Sequence, residues 1–190
     1  MKIAMSGNPE YGLAKSFQQL EPDTTFFSRD NGWDLAIQHK REGLAGIVDQ
    51  EDYDVFINSS ALHNFNQCLM LGAIWDKWKL RTSSTHIICI GSTIDRTIKG
   101  SDWIYGTEKH ALRHMSQGLS LLGVWSEIQC KVTYISFGSL NTPKVTKKHP
   151  HRRLLDMGTA AGYIKWVLDQ PAEISLNELN IDPKQILANE

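Results

Sequence analysis

A chain of 190 residues with 41% apolar side chains has the size and composition of one globular domain that needs no disulfide or metal staple. The formal net charge of −1 argues against a general nucleic-acid binder, which would carry a basic excess, and no apolar run approaches the ~20 residues of a membrane span. Cys68, Cys89 and Cys130 are odd in number, far apart and set in apolar runs. They read as reduced core thiols rather than metal ligands, and the start "MKIAMSGNPE" lacks the apolar stretch of a secretion signal, so the cytoplasm is the expected location.

In chain order, "KIAM" is a short apolar strand that stops at Ser6 and Gly7, and "YGLAKSFQQL" is a helix with Leu13, Phe17 and Leu20 on one face. "TTFFS" reads as a second strand, ended by the turn "RDNG", and "LAIQHKREGLAGIVDQ" as a helix interrupted by glycines. "YDVFINS" has the near-continuous apolar character of a strand covered on both faces. A helix "FNQCLMLGAIWDKWKL", a strand "THIICIGS" and a helix opening with "YGTEKHALRHMSQGLSLL" follow. The strand "KVTYISFGS", a helix around "MGTAAGYIKWVLD" and a last strand within "EISLNELNID" complete the chain. Strands alternating with helices predict an open α/β fold, a doubly wound parallel sheet of the Rossmann-like kind in one domain over 1–190. Ligands of such sheets lie beyond the carboxyl ends of the strands, where this chain collects small and polar residues: Ser6, Gly7, Ser28, Asn58, Ser59, Ser60, Gly91, Ser92, Gly138 and Ser139.

Single motifs are weak here. "SGNPEYGLAKS" places Gly7 and Gly12 between a strand and a helix, where backbone N–H groups and a helix N-terminus can meet a pyrophosphate, or where an ordinary turn can sit. Tyr105 and Lys109 stand at i and i+4, on one helix face, and alone such a pair is most often surface decoration. Ser92 ends a strand upstream of both.

In this order the motifs resemble those of the short-chain dehydrogenase/reductase family, through most of the chain. The family's glycine turn resembles Gly7 to Ala14; its Asn-Asn-Ala-Gly stretch resembles "NSSA", with Asn58 in first place; its catalytic Ser matches Ser92; its Tyr-x-x-x-Lys matches Tyr105 and Lys109; and its Pro-Gly-x-x-x-Thr resembles "FGSLNT", with Gly138 and Thr142. The family's catalytic Asn most resembles Asn66, with Asn64 the second choice. The resemblance implies a carbonyl reductase or alcohol dehydrogenase. Tyr105 would be its acid–base, Lys109 would lower the phenol's pKa and hold the nicotinamide ribose, Ser92 would orient the substrate oxygen, and Asn66 would hold a relay water. It also implies cofactor contacts from Gly7, Asn8, Tyr11, Gly12, Leu13, Ser28, Arg29, Asp34, Asn58, Ser59, Ser60, Tyr105, Lys109, Gly138 and Thr142, and a homodimer or homotetramer built on the helices after "YDVFINS" and "THIICIGS".

The chain departs from the family in places. Four residues separate Gly7 from Gly12 where three are usual, Ala14 replaces the last glycine, and Phe137 stands where Pro is expected. Only "NGW" lies between "FFSRD" and "DL", too short for a parallel crossover of ~10 residues, so the strand-three region and its helix are expected to be reduced or absent. "FFSRD" offers Ser28 and Arg29 before Asp30, which favours NADP over NAD. The basic run "PKVTKKHPHRRLLDMG", about 143–156, is either a solvated loop or a substrate lid that recognises a carboxylate or phosphate. His63, beside "NSSA", could approach the site or be structural, whereas Trp75 and Trp78 read as packing or interface residues. The expected partner is a small carbonyl or alcohol, with neither nucleic acid, membrane nor metal. The competing readings are a cofactor-sensing protein of the same fold without turnover and, more remotely, a binder of anionic surfaces.

Overall fold

The computed structural model describes residues 1–96 and 104–184. Its strands are β1 (Ile3–Ser6), β2 (Thr25–Phe27), β3 (Val55–Asn58), β4 (Thr85–Ile90), β5 (Cys130–Phe137) and β6 (Glu178–Ile181). Its helices are α1 (Gly12–Leu20), α2 (Gln38–Gln50), α3 (Asn66–Trp78), α4 (Ile104–Val124), α5 (Pro143–Lys148) and α6 (Met157–Leu168). The strands form one six-stranded sheet in the order β2-β1-β3-β4-β5-β6, and every pairing is parallel. The two edge strands are short, which limits the unpaired backbone they expose.

Period-two alternation along each strand builds two separate cores. Ala4, Phe56, Ile87, Cys89, Val132 and Tyr134 point to the face covered by α2, α3 and α4, whereas Ile3, Met5, Ile57, Ile88, Ile90 and Ile135 point to the face covered by α1 and α6. The central strands have both faces covered, hence their unbroken apolar runs. Trp78 is fully buried and Trp75 nearly so, which settles both as packing residues. Cys89 and Cys130 are buried free thiols, and Cys68 is half-buried and free.

Two expectations change. Gly43 and Gly46 do not interrupt α2, which runs unbroken because Arg41, Leu44, Ala45 and Val48 are buried on one face. Tertiary burial outweighs the ~1 kcal/mol that each helical glycine costs relative to alanine. The basic run after β5 is also more ordered than a plain loop. Thr142 caps α5 by accepting from Val145 N, and a Leu140–Leu155 bridge closes the base of the excursion. The reduced region is seen as expected: among the described residues no strand lies between β2 and β3, and α2 alone carries the crossover past β1.

The chain leaves β1 toward β2 on one side and returns to β3 on the other, so the order in which strands are added reverses between β1 and β3. That crevice, at the carboxyl ends, is where an open α/β sheet binds its ligand.

Candidate active site

Because all strands run the same way, Gly7, Ser28, Asn58, Gly91 and Gly138 come to one edge of the sheet. Gly7 has φ +152° and donates its N–H to Phe27 O at 3.0 Å, stitching the turn to the end of β2. A Cβ on Gly7 would lie 3.1 Å from the Cβ of Ala14, so the missing side chain on the turn gives α1 its close approach, even though the third glycine of the motif is absent. Gly12 has φ +59°, a backbone that favours glycine, with open space around it. Tyr11 is the N-cap of α1 but makes no side-chain cap, so no side chain at that cap occupies the helix's first N–H groups. N–H groups and a helix dipole left open in this way suit an anion such as a pyrophosphate.

Neighbouring residues fix this cradle. Asn8 turns back on its own loop, accepting from Glu10 N at 2.8 Å and donating to the carboxylate of Asp30. Arg29, next to Asp30, is exposed and forms no ion pair among the described residues, and Ser28 is buried. Ser6 Oγ accepts from the N–H groups of Ser59 at 2.9 Å and Ser60 at 3.1 Å, folding "NSSA" over the end of β1. Thr142 is committed to capping α5, while a Cβ on Gly138 would strike Pro183 and Asp182 within 2.8 Å. Asp34 lies in a turn ahead of α2 and accepts from Ala36 N at 3.1 Å.

Ser92, Tyr105 and Lys109 meet at the end of β4. A hydrogen bond with Ser92 holds the Tyr105 phenol and lowers its pKa, while burial pushes it up more strongly. The Lys109 ammonium lies 5.5 Å from the centre of the Tyr105 ring. Lys109 is 4% exposed and donates to Gln67 Oε1 at 2.6 Å and to Ile90 O at 3.0 Å. Burial lowers its pKa to about 8, partly offset by Cys89, Cys68, Asp95 and Glu108. Asn66 opens α3, but its side chain donates to His63 O at 2.7 Å; the side chain that reaches Lys109 is that of the next residue, Gln67. Asn64 and Phe65, just before α3, both have φ +57°, a strained pair for non-glycine residues. The buried Glu108 supports that turn by accepting from Phe65 N at 3.1 Å, and its other oxygen faces His63 Nδ1 at 3.8 Å. The His63 ring stands edge-on to Tyr105 at 6.4 Å, so His63 does approach the site.

A brace behind Ser92 has no counterpart in the motif reading. The Tyr134 hydroxyl, fully inside the core, donates to the carboxylate of Asp95 in the helical turn Thr93–Arg96 that follows Ser92. Tyr134 passes so close to Gly91 that a Cβ there would sit 2.0 Å from its hydroxyl oxygen. Glycine before Ser92 is therefore a packing requirement. The basic residues Lys144, Lys147, Lys148, His149, His151, Arg152 and Arg153 lie on α5 and the turn after it, and Arg152 donates to Ser139 Oγ at 3.1 Å. Among the described residues no cluster of His, Cys, Asp or Glu could hold a metal, and no helix is long and apolar enough to cross a membrane.

Sheet order and switch point together define an open, doubly wound parallel α/β fold of the Rossmann-like kind. The resemblance read from the motifs holds at this level. No family model matches the chain. It is 31% identical over 105 residues to an uncharacterised oxidoreductase of Staphylococcus aureus strain MW2, a match covering 55% of this chain and 45% of the relative, slightly under half its length. Among solved structures it is similar to the closed form of a serine dehydrogenase complexed with NADP+ (TM-score 0.73, 17% identity, 95% of this chain and 94% of that one). It is similar too to a 3-ketoacyl-(acyl-carrier-protein) reductase of Brucella melitensis complexed with NADH (0.74, 14%, 95% and 96%) and to a short-chain dehydrogenase of Streptomyces avermitilis (0.73, 15%, 95% and 88%).

Proposed function

We propose that this chain is an NAD(P)-dependent oxidoreductase that reduces a small carbonyl compound, or oxidises the corresponding alcohol. The observation that carries the reading is the meeting of Ser92, Tyr105 and Lys109 at the carboxyl edge beside an uncapped helix N-terminus.

The bound nicotinamide would supply the hydride; the protein's part is position, charge and a proton. Gly7, Asn8, Tyr11, Gly12 and Leu13 would hold the pyrophosphate, and Asn58, Ser59 and Ser60 the nicotinamide half. Ser92 would donate to the substrate oxygen and stabilise negative charge as it forms. Tyr105 would deliver its phenolic proton to that oxygen and regain one afterwards. Burial alone favours the neutral phenol. The Lys109 ammonium offsets this by favouring phenolate once the proton has left. Arg29, exposed beside the cradle while Asn8 engages Asp30, favours NADP, since a guanidinium suits a 2′-phosphate. The exposed Leu69, Leu121, Leu122 and Trp125 on and just after α3 and α4 support a homo-oligomer through those helices.

The test is fluorescence titration with NADPH and NADH, followed by a screen of carbonyl compounds for cofactor oxidation. Tyr105→Phe should cut turnover by a factor of ~100 or more while cofactor affinity stays within about threefold. Substantial residual turnover would refute the acid–base assignment, and failure to bind either nucleotide would refute the whole reading.

A further inference from the structure

We propose that Gln67 is the positioning residue for Lys109, clamping its ammonium directly with a side-chain amide at the point where β3, β4, α3 and α4 converge. The inference rests on the reading of Lys109 as part of the acid–base set.

Gln67 is 4% exposed, and its amide group is fully committed. Nε2 donates to Asn58 O at 2.8 Å and to Ile90 O at 3.1 Å, the last residues of β3 and β4. Asn58 returns the contact by donating Nδ2 to Gln67 O at 2.9 Å. With both amide hydrogens spent on carbonyls, the amide cannot flip without facing oxygen to oxygen, so Oε1 must point at Lys109. Lys109 donates to it at 2.6 Å and to Ile90 O at 3.0 Å, which uses two of the three ammonium N–H groups. One donor is left for Tyr105 or a cofactor hydroxyl.

The choice of an amide has a consequence. A carboxylate here would grip the ammonium more firmly but would cancel the charge that a developing phenolate needs. The amide oxygen satisfies the buried ammonium and leaves its charge in place. The titratable groups facing Lys109 are Cys89 on β4, Cys68 on α3, Asp95 in the turn after Ser92, and Tyr105 and Glu108 on α4 itself. Cys89 and Cys68 have their thiols pushed up by burial and stay neutral near pH 7. Gln67 and Ile90 accept hydrogen bonds from the ammonium, and neither carries a charge.

The experiment follows the titration of Lys109 itself by NMR of the full chain carrying ¹³Cε-labelled lysine, assigned by loss of its signal in Lys109→Arg. It needs neither substrate nor cofactor, so it is independent of the proposed activity. Gln67→Glu should raise the Lys109 midpoint, and Gln67→Met, which removes the acceptor, should lower it, each by about one pH unit or more. Turnover should fall tenfold or more in both, with the pH profile moving in the same opposite directions. A residue that only stabilised the fold would lower Tm and leave the Lys109 midpoint in place. An unmoved midpoint in either folded variant, or a shift of both in one direction, overturns the proposal. If only one variant folds, its midpoint decides. Displaced midpoints in a protein that never oxidises NADPH would uphold the clamp and sink the oxidoreductase reading alone.

Discussion

Lys109 shows how burial sets chemistry at a single residue. Its pKa of about 8 lies below the ordinary 10.5 because water is excluded from its ammonium. The folded value is depressed, so between about 8 and 10.5 the unfolded chain binds more protons than the folded one, and stability rises with pH across that window. Below 8 both states are protonated and the full penalty of burying the charge is present. The stability advantage of Lys109→Met over the parent chain should therefore shrink as pH rises from 8 to 10.5, as measured by urea unfolding at fixed ionic strength. A constant advantage would show that burial does not penalise this charge. Activity that depends on the charged ammonium should fall as pH rises through about 8. At the other end of the crevice, Arg29→Ala should weaken NADPH about 10-fold or more and leave NADH nearly unchanged, since a charge-assisted hydrogen bond to phosphate contributes ~1.5–3 kcal/mol. Equal losses for both nucleotides would remove Arg29 from cofactor choice.

Among elements, the informative join is that between β4 and β5. The turn carrying Ser92 is anchored from beneath by Tyr134 through Asp95, and this works only because Gly91 has no side chain. Gly91→Ala should destabilise the fold by ~1–3 kcal/mol in chemical denaturation, because the displaced ring lies in a filled core. Combining it with Tyr134→Leu should cost less than the sum of the two single changes, as expected for residues in contact. Additive losses would mean that the clash is relieved elsewhere. The same join explains which site residues could be read from the chain. Ser92 and the Tyr105–Lys109 pair were legible because their spacing is local: a strand end, and two residues one helical turn apart. Asp95, Tyr134 and Gln67 were not, because each acts on a partner tens of residues away and nothing near them in sequence marks that contact. Glycines 43 and 46 misled for a related reason, since local propensity could not register the burial of the face beside them.

For the molecule as a whole, the sheet is shorter on the β2 side than the motif resemblance would require, and the crevice at the switch point survives this because β1, β3 and β4, which build it, are central. An edge can be lost without moving a switch point that lies two strands away. The basic excursion from 140 to 155 belongs to this scale too, because its closed base at Leu140 and Leu155 holds α5 beyond the same carboxyl edge as the crevice. If it recognises anionic substrates, replacing Lys147 and Lys148 by Ser should raise KM about 10-fold for an acidic carbonyl compound and leave a neutral one unchanged. Equal effects on the two would mark the segment as a solvated surface.

The sequence by itself determined the alternation of strands and helices, the parallel sheet, the covered central strands and the order of the Ser, Tyr and Lys motifs. These depend on hydrophobic period and short-range spacing, which a linear chain displays directly. Only the tertiary structure decided that Gln67, rather than Asn66, meets the ammonium, that Gly91 is required by Tyr134, and that Glu108 supports a strained turn beside His63. Those contacts join elements far apart in the chain, and their energies come from burial and from hydrogen bonds that exist only once the layers have packed.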